Sequence, residues 1–86
     1  MDAEQAVAQA FDAAEAALAG VRVDSSITEL LDGYWLLAQA TGRAEGTANT
    51  LAGCGFALAA DIPIRAARLE ANLADLAGQL RERFAD

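Results

Sequence analysis

Apolar residues recur along most of this chain at intervals of three and four, the spacing of one helix face. Val7, Phe11, Ala14 and Leu18 share such a face and predict a first helix over residues 2–19. Asp2 and Glu4 lie where a helix dipole favours acids, and Gly20 is a natural stop. A second helix is predicted over 26–40, opened by Ser26-Ile27-Thr28-Glu29, a capping-box pattern. Its apolar face holds Ile27, Leu30, Leu31, Tyr34, Leu37 and Ala38, and Trp35 widens it. Leu36 falls nearer the polar side, with Glu29, Asp32 and Gln39. This is a wider apolar arc than one bundle seam requires.

Thr41-Gly42 reads as a break, with a third helix over 43–60 carrying Ala44, Ala48, Leu51, Gly55 and Leu58 on one face. Gly46, Gly53 and Gly55 would each cost about 1 kcal/mol relative to alanine inside a helix, which predicts close approach by another backbone. Asp61-Ile62-Pro63 ends that segment: proline disfavours the helical conformation at Ile62 and suits a helix start. A fourth and longest helix is predicted over 63–84, a single kinked helix across Pro63 being the alternative. Ala66, Leu73 and Leu80 at a, with Ile62, Leu69 and Leu76 at d, make nearly three heptads, ending where Arg83 takes the next d position. Val21-Arg22-Val23 is a connector too short to compete as a strand. The expected fold is all-α: one domain over 1–86, a four-helix, up-down bundle-like arrangement with a long heptad-patterned C-terminal helix.

Composition narrows the chemistry. The chain has no histidine and no lysine, and its six basic residues are all arginine. That removes Ser-His and Cys-His pairs, Schiff-base lysines and the phosphate-loop lysine. A zinc site would lack imidazole and have one thiolate. The 23 alanines, with lysine absent, suggest GC-rich bacterial or phage coding. A single cysteine, Cys54, excludes an intrachain disulfide and fits a reducing cytoplasm. A chain of 86 residues hides only roughly 60% of its unfolded surface, so a partner subunit is a common addition.

Net charge is −7. Residues 1–21 carry four acids and no base, whereas 62–86 carry four of each sign. Such a surface repels phosphate backbones and anionic lipid, so neither nucleic acid nor membrane is an expected partner. The acidic N-terminus does not read as a signal peptide. The longest uncharged run, residues 46–60, is 15 long, short of the about 20 that a spanning helix needs.

The chemical candidates are few. Cys54 sits in an apolar stretch with no base nearby and reads as a small core residue. Asp12 with Glu15, and Glu29 with Asp32, are three apart on polar helix sides. They read as solvated faces, because carboxylate-bridged metal sites in bundles rely on Glu-x-x-His. Tyr34 and Trp35 point about 100° apart, so they cannot fill the same seam: core packing for both is the commoner outcome, and the alternative is that one packs inside while the other reaches a flank or a partner. Arg65 and Arg68 stand near a helix start, where the dipole disfavours them. They are expected to pair with Asp61 or with the acids of the first helix, or else to meet an acidic partner surface or a bound anion. Asn49, Thr50 and Asn72 are polar residues near apolar faces: they read first as exposed residues of no consequence, with a buried amide that fixes register as the alternative. Asp24-Ser25-Ser26 before an apolar helix lacks the Asp-Ser-Leu context of an acyl carrier, since Ile27 follows a second serine.

These features predict a non-enzymatic interaction or assembly protein without cofactor or metal, self-associating through apolar helix faces, most simply as a two-fold dimer. The candidate interface residues are Trp35, Leu36, Tyr34, Arg65, Arg68, Leu69, Leu73, Leu76 and Leu80. A small acidic regulator that binds one host protein, in the manner of phage and antitoxin-like proteins, is the alternative. A small-molecule pocket near Tyr34, Cys54 and Phe56 is the third expectation.

Overall fold

The computed structural model describes residues 1–22 and 24–85; Val23, the end of the expected connector, lies outside the described residues. Among the described residues there are three helices and no strand: α1 (Ala3–Ala19), α2 (Ile27–Gly53) and α3 (Ile62–Ala85). The all-helical class matches the periodicity. The count of four does not, because the segments expected over 26–40 and 43–60 are one helix of 27 residues. Thr41-Gly42 fails as a break because its neighbours hold the helix in place. Leu37, Thr41, Ala44 and Ala48 form one continuous buried face. Burial of a leucine such as Leu37, worth about 1.5–3 kcal/mol, outweighs the about 1 kcal/mol that Gly42 costs as a helix-interior glycine.

The true stop lies further on. Gly55 adopts φ +92°, the left-handed region that glycine enters without a Cβ penalty. The Phe56 N–H donates to the Leu51 carbonyl at 3.1 Å and the Gly55 N–H to the Ala52 carbonyl at 3.0 Å. This is the Schellman closure of a helix, so Gly53 and Gly55 terminate the helix rather than notch its surface. The helix expected through residue 60 therefore ends at Gly53, and 56–59 are irregular. α3 begins at Ile62, with Pro63 in its first turn.

Both earlier helices start on side-chain caps. Asp2 accepts from the Gln5 N–H at 2.8 Å while the Gln5 amide oxygen accepts from the Asp2 N–H at 3.2 Å. The Ser26 hydroxyl accepts from the Glu29 N–H at 3.2 Å and donates to the Glu29 carboxylate at 3.1 Å. Ser26 thus caps the chain as its sequence pattern predicts, although the glutamate bonds the hydroxyl rather than the backbone.

Ala6 lies beside Gly46 and Thr50, and Ala13 beside Leu36, so α1 and α2 run antiparallel. Glu45 meets Glu70, and the Arg83 guanidinium donates to the Ser25 carbonyl at 2.8 Å, so α2 and α3 are antiparallel too. α2 is the central element, and α1 and α3 touch over a shorter stretch. The molecule measures 48 × 18 × 16 Å, and α2, about 40 Å long at 1.5 Å per residue, spans most of its length. Gly33 is the glycine with a packing reason: a Cβ there would stand 3.2 Å from a Val21 methyl.

One core joins all three helices, with Val7, Phe11 and Ala14 from α1, Leu30, Leu37, Ala44 and Ala48 from α2, and Ile62, Leu69, Leu76 and Leu80 from α3. Ala66 and Leu73 pack against it, half-buried. The apolar positions that suggested heptads on α3 thus share a three-helix core within the chain, and nothing in that packing calls for a coiled-coil seam. No helix among the described residues is long and apolar enough to cross a membrane.

Candidate interaction surface

The nine residues singled out by sequence fall into three settings. Leu69, Leu76 and Leu80 are buried and Leu73 half-buried, all in the core of the chain itself. Their expected place on an interface is corrected accordingly: α3 turns its apolar stripe inward against α1 and α2.

Arg65 joins α3 to α1. Its Nε and one Nη2 contact hold both oxygens of Glu15, at 2.8 and 2.7 Å, and Nη2 also reaches Asp12 at 2.7 Å. The guanidinium lies 5.5 Å from the centroid of the Phe11 ring, within cation–π range. These contacts fix the planar fork in the bidentate geometry that arginine favours. Hydrogen bonding from Arg65 holds the Glu15 carboxyl below its ordinary value, with the nearby charges of Arg65 and Arg68 acting in the same direction against desolvation. In return the two carboxylates push the Arg65 guanidinium further up. The pair Asp12–Glu15 thus serves as the receptor for one arginine. Arg68 is exposed and has no ion pair among the described residues.

Tyr34, Trp35 and Leu36 occupy the third setting, on α2. Tyr34 is half-buried against the core. Trp35 is 62% exposed and Leu36 59%, and Leu31, one turn before Trp35, is 44% exposed. Beside Leu36 runs an open furrow between α1 and α2, lined by Ala10, Ala13, Gln39, Ala40 and Arg43, with a volume of about 500 Å³. It continues past Arg43 to Ala6, Gly46, Thr47 and Thr50.

The expected small-molecule site does not assemble. Tyr34 and Cys54 sit about 30 Å apart along the axis of one helix, at 1.5 Å per residue. Cys54 is exposed at the α2 C-cap, not a core residue, because the helix ends there. Phe56 is exposed in the loop that follows. A cleft between the start of α1 and the α2–α3 connection, lined by Glu4, Val7, Leu58, Ile62 and Arg65, holds about 150 Å³, below the roughly 300 Å³ at which metabolite pockets begin. No group of three or more metal-ligating side chains occurs among the described residues.

Sequence reasoning missed three polar positions. Thr41 is 1% exposed and its hydroxyl has no hydrogen-bond partner among the described residues. The amides named from the sequence are not among them: Asn49 is exposed, and Asn72 is half-buried, its side chain donating to the Arg68 carbonyl at 2.8 Å. Glu45 faces Glu70 across α2 and α3, and the hydrogen bond that a protonated carboxyl can share with Glu70, together with burial and mutual repulsion, raises the Glu45 carboxyl above its ordinary value.

No protein-family model matches the chain, and no curated protein or solved structure matches it either.

Proposed function

We propose that this chain is a non-enzymatic interaction protein that self-associates through the outward face of α2. The observation that carries the reading is Trp35, a large apolar side chain 62% exposed on a helix whose other side already meets α1 and α3. Tryptophan is among the residue types most enriched where binding energy concentrates, and Leu31, one turn earlier on the same face, extends the apolar area. The absence of histidine and lysine supports a role in contact rather than catalysis. The net charge of −7 supports a protein surface, rather than phosphate, as the partner.

Trp35 is the only tryptophan and therefore reports on its own burial. Its fluorescence emission is expected to move to shorter wavelength as concentration rises from nanomolar to high micromolar, with Trp35→Tyr retaining helical circular dichroism. Emission that stays at the solvent-exposed wavelength over that whole range contradicts the reading.

A further inference from the structure

The outward face of α2 is built from two unlike halves. Leu31, Trp35, Gly42 and Gly46 fall within about 60° of arc on an ideal helix. The first two are exposed apolar side chains. The last two are glycines at which an added Cβ would meet nothing within 4 Å. Each costs about 1 kcal/mol relative to alanine in a helix, and no atom among the described residues would meet a Cβ at either. Knobs thus occupy one half of the stripe and notches the other.

The spacing is reciprocal. Leu31 and Gly46 are centred on the step between Ala38 and Gln39, and so are Trp35 and Gly42. A two-fold axis at that step lays each copy's Trp35 and Leu31 on the glycines of the other, which is the self-complementarity an isologous dimer requires. The flank of the stripe carries a second, independent sign. Asp32 and Arg43 lie on the same side of it, within about 20° of each other. Both are exposed, and neither has an ion pair among the described residues. In an antiparallel pairing about that axis, Asp32 of one copy and Arg43 of the other come within about 3 Å along the axis, and the symmetry makes the contact twice.

We infer that the partner of this surface is a second copy of this chain, docked antiparallel along α2, with Trp35 seated at the partner's glycine notch and two Asp32–Arg43 pairs fixing the register. This rests on the self-association proposed above and adds its partner, direction and register.

Charge reversal tests the register, read as dissociation constants by sedimentation equilibrium of the full chain. Asp32→Arg and Arg43→Asp are each expected to weaken association about tenfold, because each replaces two attractive contacts with two repulsive ones. The double variant restores the wild-type constant to within about threefold, since it re-forms both pairs with the signs exchanged. Gly42→Leu, which has open space in the single chain and favours helix, weakens association by about tenfold or more while keeping the wild-type circular dichroism. A dimer whose constant is unchanged by all three single substitutions overturns this register and leaves self-association standing. A chain that stays monomeric throughout overturns both.

Discussion

Thr41 and Glu45 lie one helical turn apart on α2, and each carries a polar group in a setting that disfavours it. The Thr41 hydroxyl is buried without a partner among the described residues, and an unsatisfied buried polar group costs about 1–3 kcal/mol. Thr41→Val keeps the shape and removes the oxygen, so it is expected to raise stability by about 1 kcal/mol, read as a higher urea midpoint at unchanged slope. A lower midpoint would mean that the hydroxyl contributes a bond. For Glu45, the folded carboxyl titrates above its unfolded value. Its contribution is therefore fully present below the unfolded value and is lost as pH rises through the raised one. Glu15 has the opposite sign: its folded value is depressed, so its contribution is present above the unfolded value and lost as pH falls through the folded one. Glu45→Gln is expected to raise the melting temperature at pH 7, with the gain vanishing in acid as the wild-type carboxyl protonates. Equal melting temperatures at both ends of that range would remove Glu70 as its destabilising neighbour. The partner of Arg65 was within reach of sequence, because α1 has acids and no bases. The Glu45–Glu70 contact was not, because it depends on how two distant helices meet.

Among the helices, boundaries were harder to read than faces. The core positions of α1 and α3 follow from spacing alone, since three and four apart is enough to choose one side. Thr41-Gly42 misled because local propensity is weak beside tertiary burial, and the bonds that close α2 at Gly55 depend on a backbone angle that spacing does not reveal. The same glycines separate by substitution. Gly55→Ala is expected to destabilise by about 1–2 kcal/mol, because alanine is disfavoured at a left-handed angle. Gly42→Ala, measured at concentrations where the chain is monomeric, is expected to stabilise by about 0.5–1 kcal/mol, because its Cβ enters open space and its backbone is helical. Both are read by urea unfolding. Equal effects at the two sites would contradict the distinction drawn between a terminating and an outward-facing glycine.

At the scale of the whole molecule, the apolar surplus suspected from the sequence divides in two. The stripe on α3 is spent in the core with α1 and α2, so Leu69, Leu76 and Leu80 are buried within the chain itself. The surplus on α2 stays outside, because one long helix has neighbours on only part of its circumference: Leu31 and Trp35 lie beyond them, and Leu36 stands exposed at the rim of the α1–α2 furrow. Fusing two expected helices into one is what brings Gly42 and Gly46 onto the same stripe as Trp35. The sequence showed the excess and named Trp35 and Leu36, but their relation to the glycines needed the continuous helix. Self-association of that face is the central claim, and the molar mass of the chain in solution tests it most directly. Size-exclusion chromatography with light scattering at high micromolar concentration is expected to give twice the mass of one chain. A mass of one chain under those conditions contradicts the account.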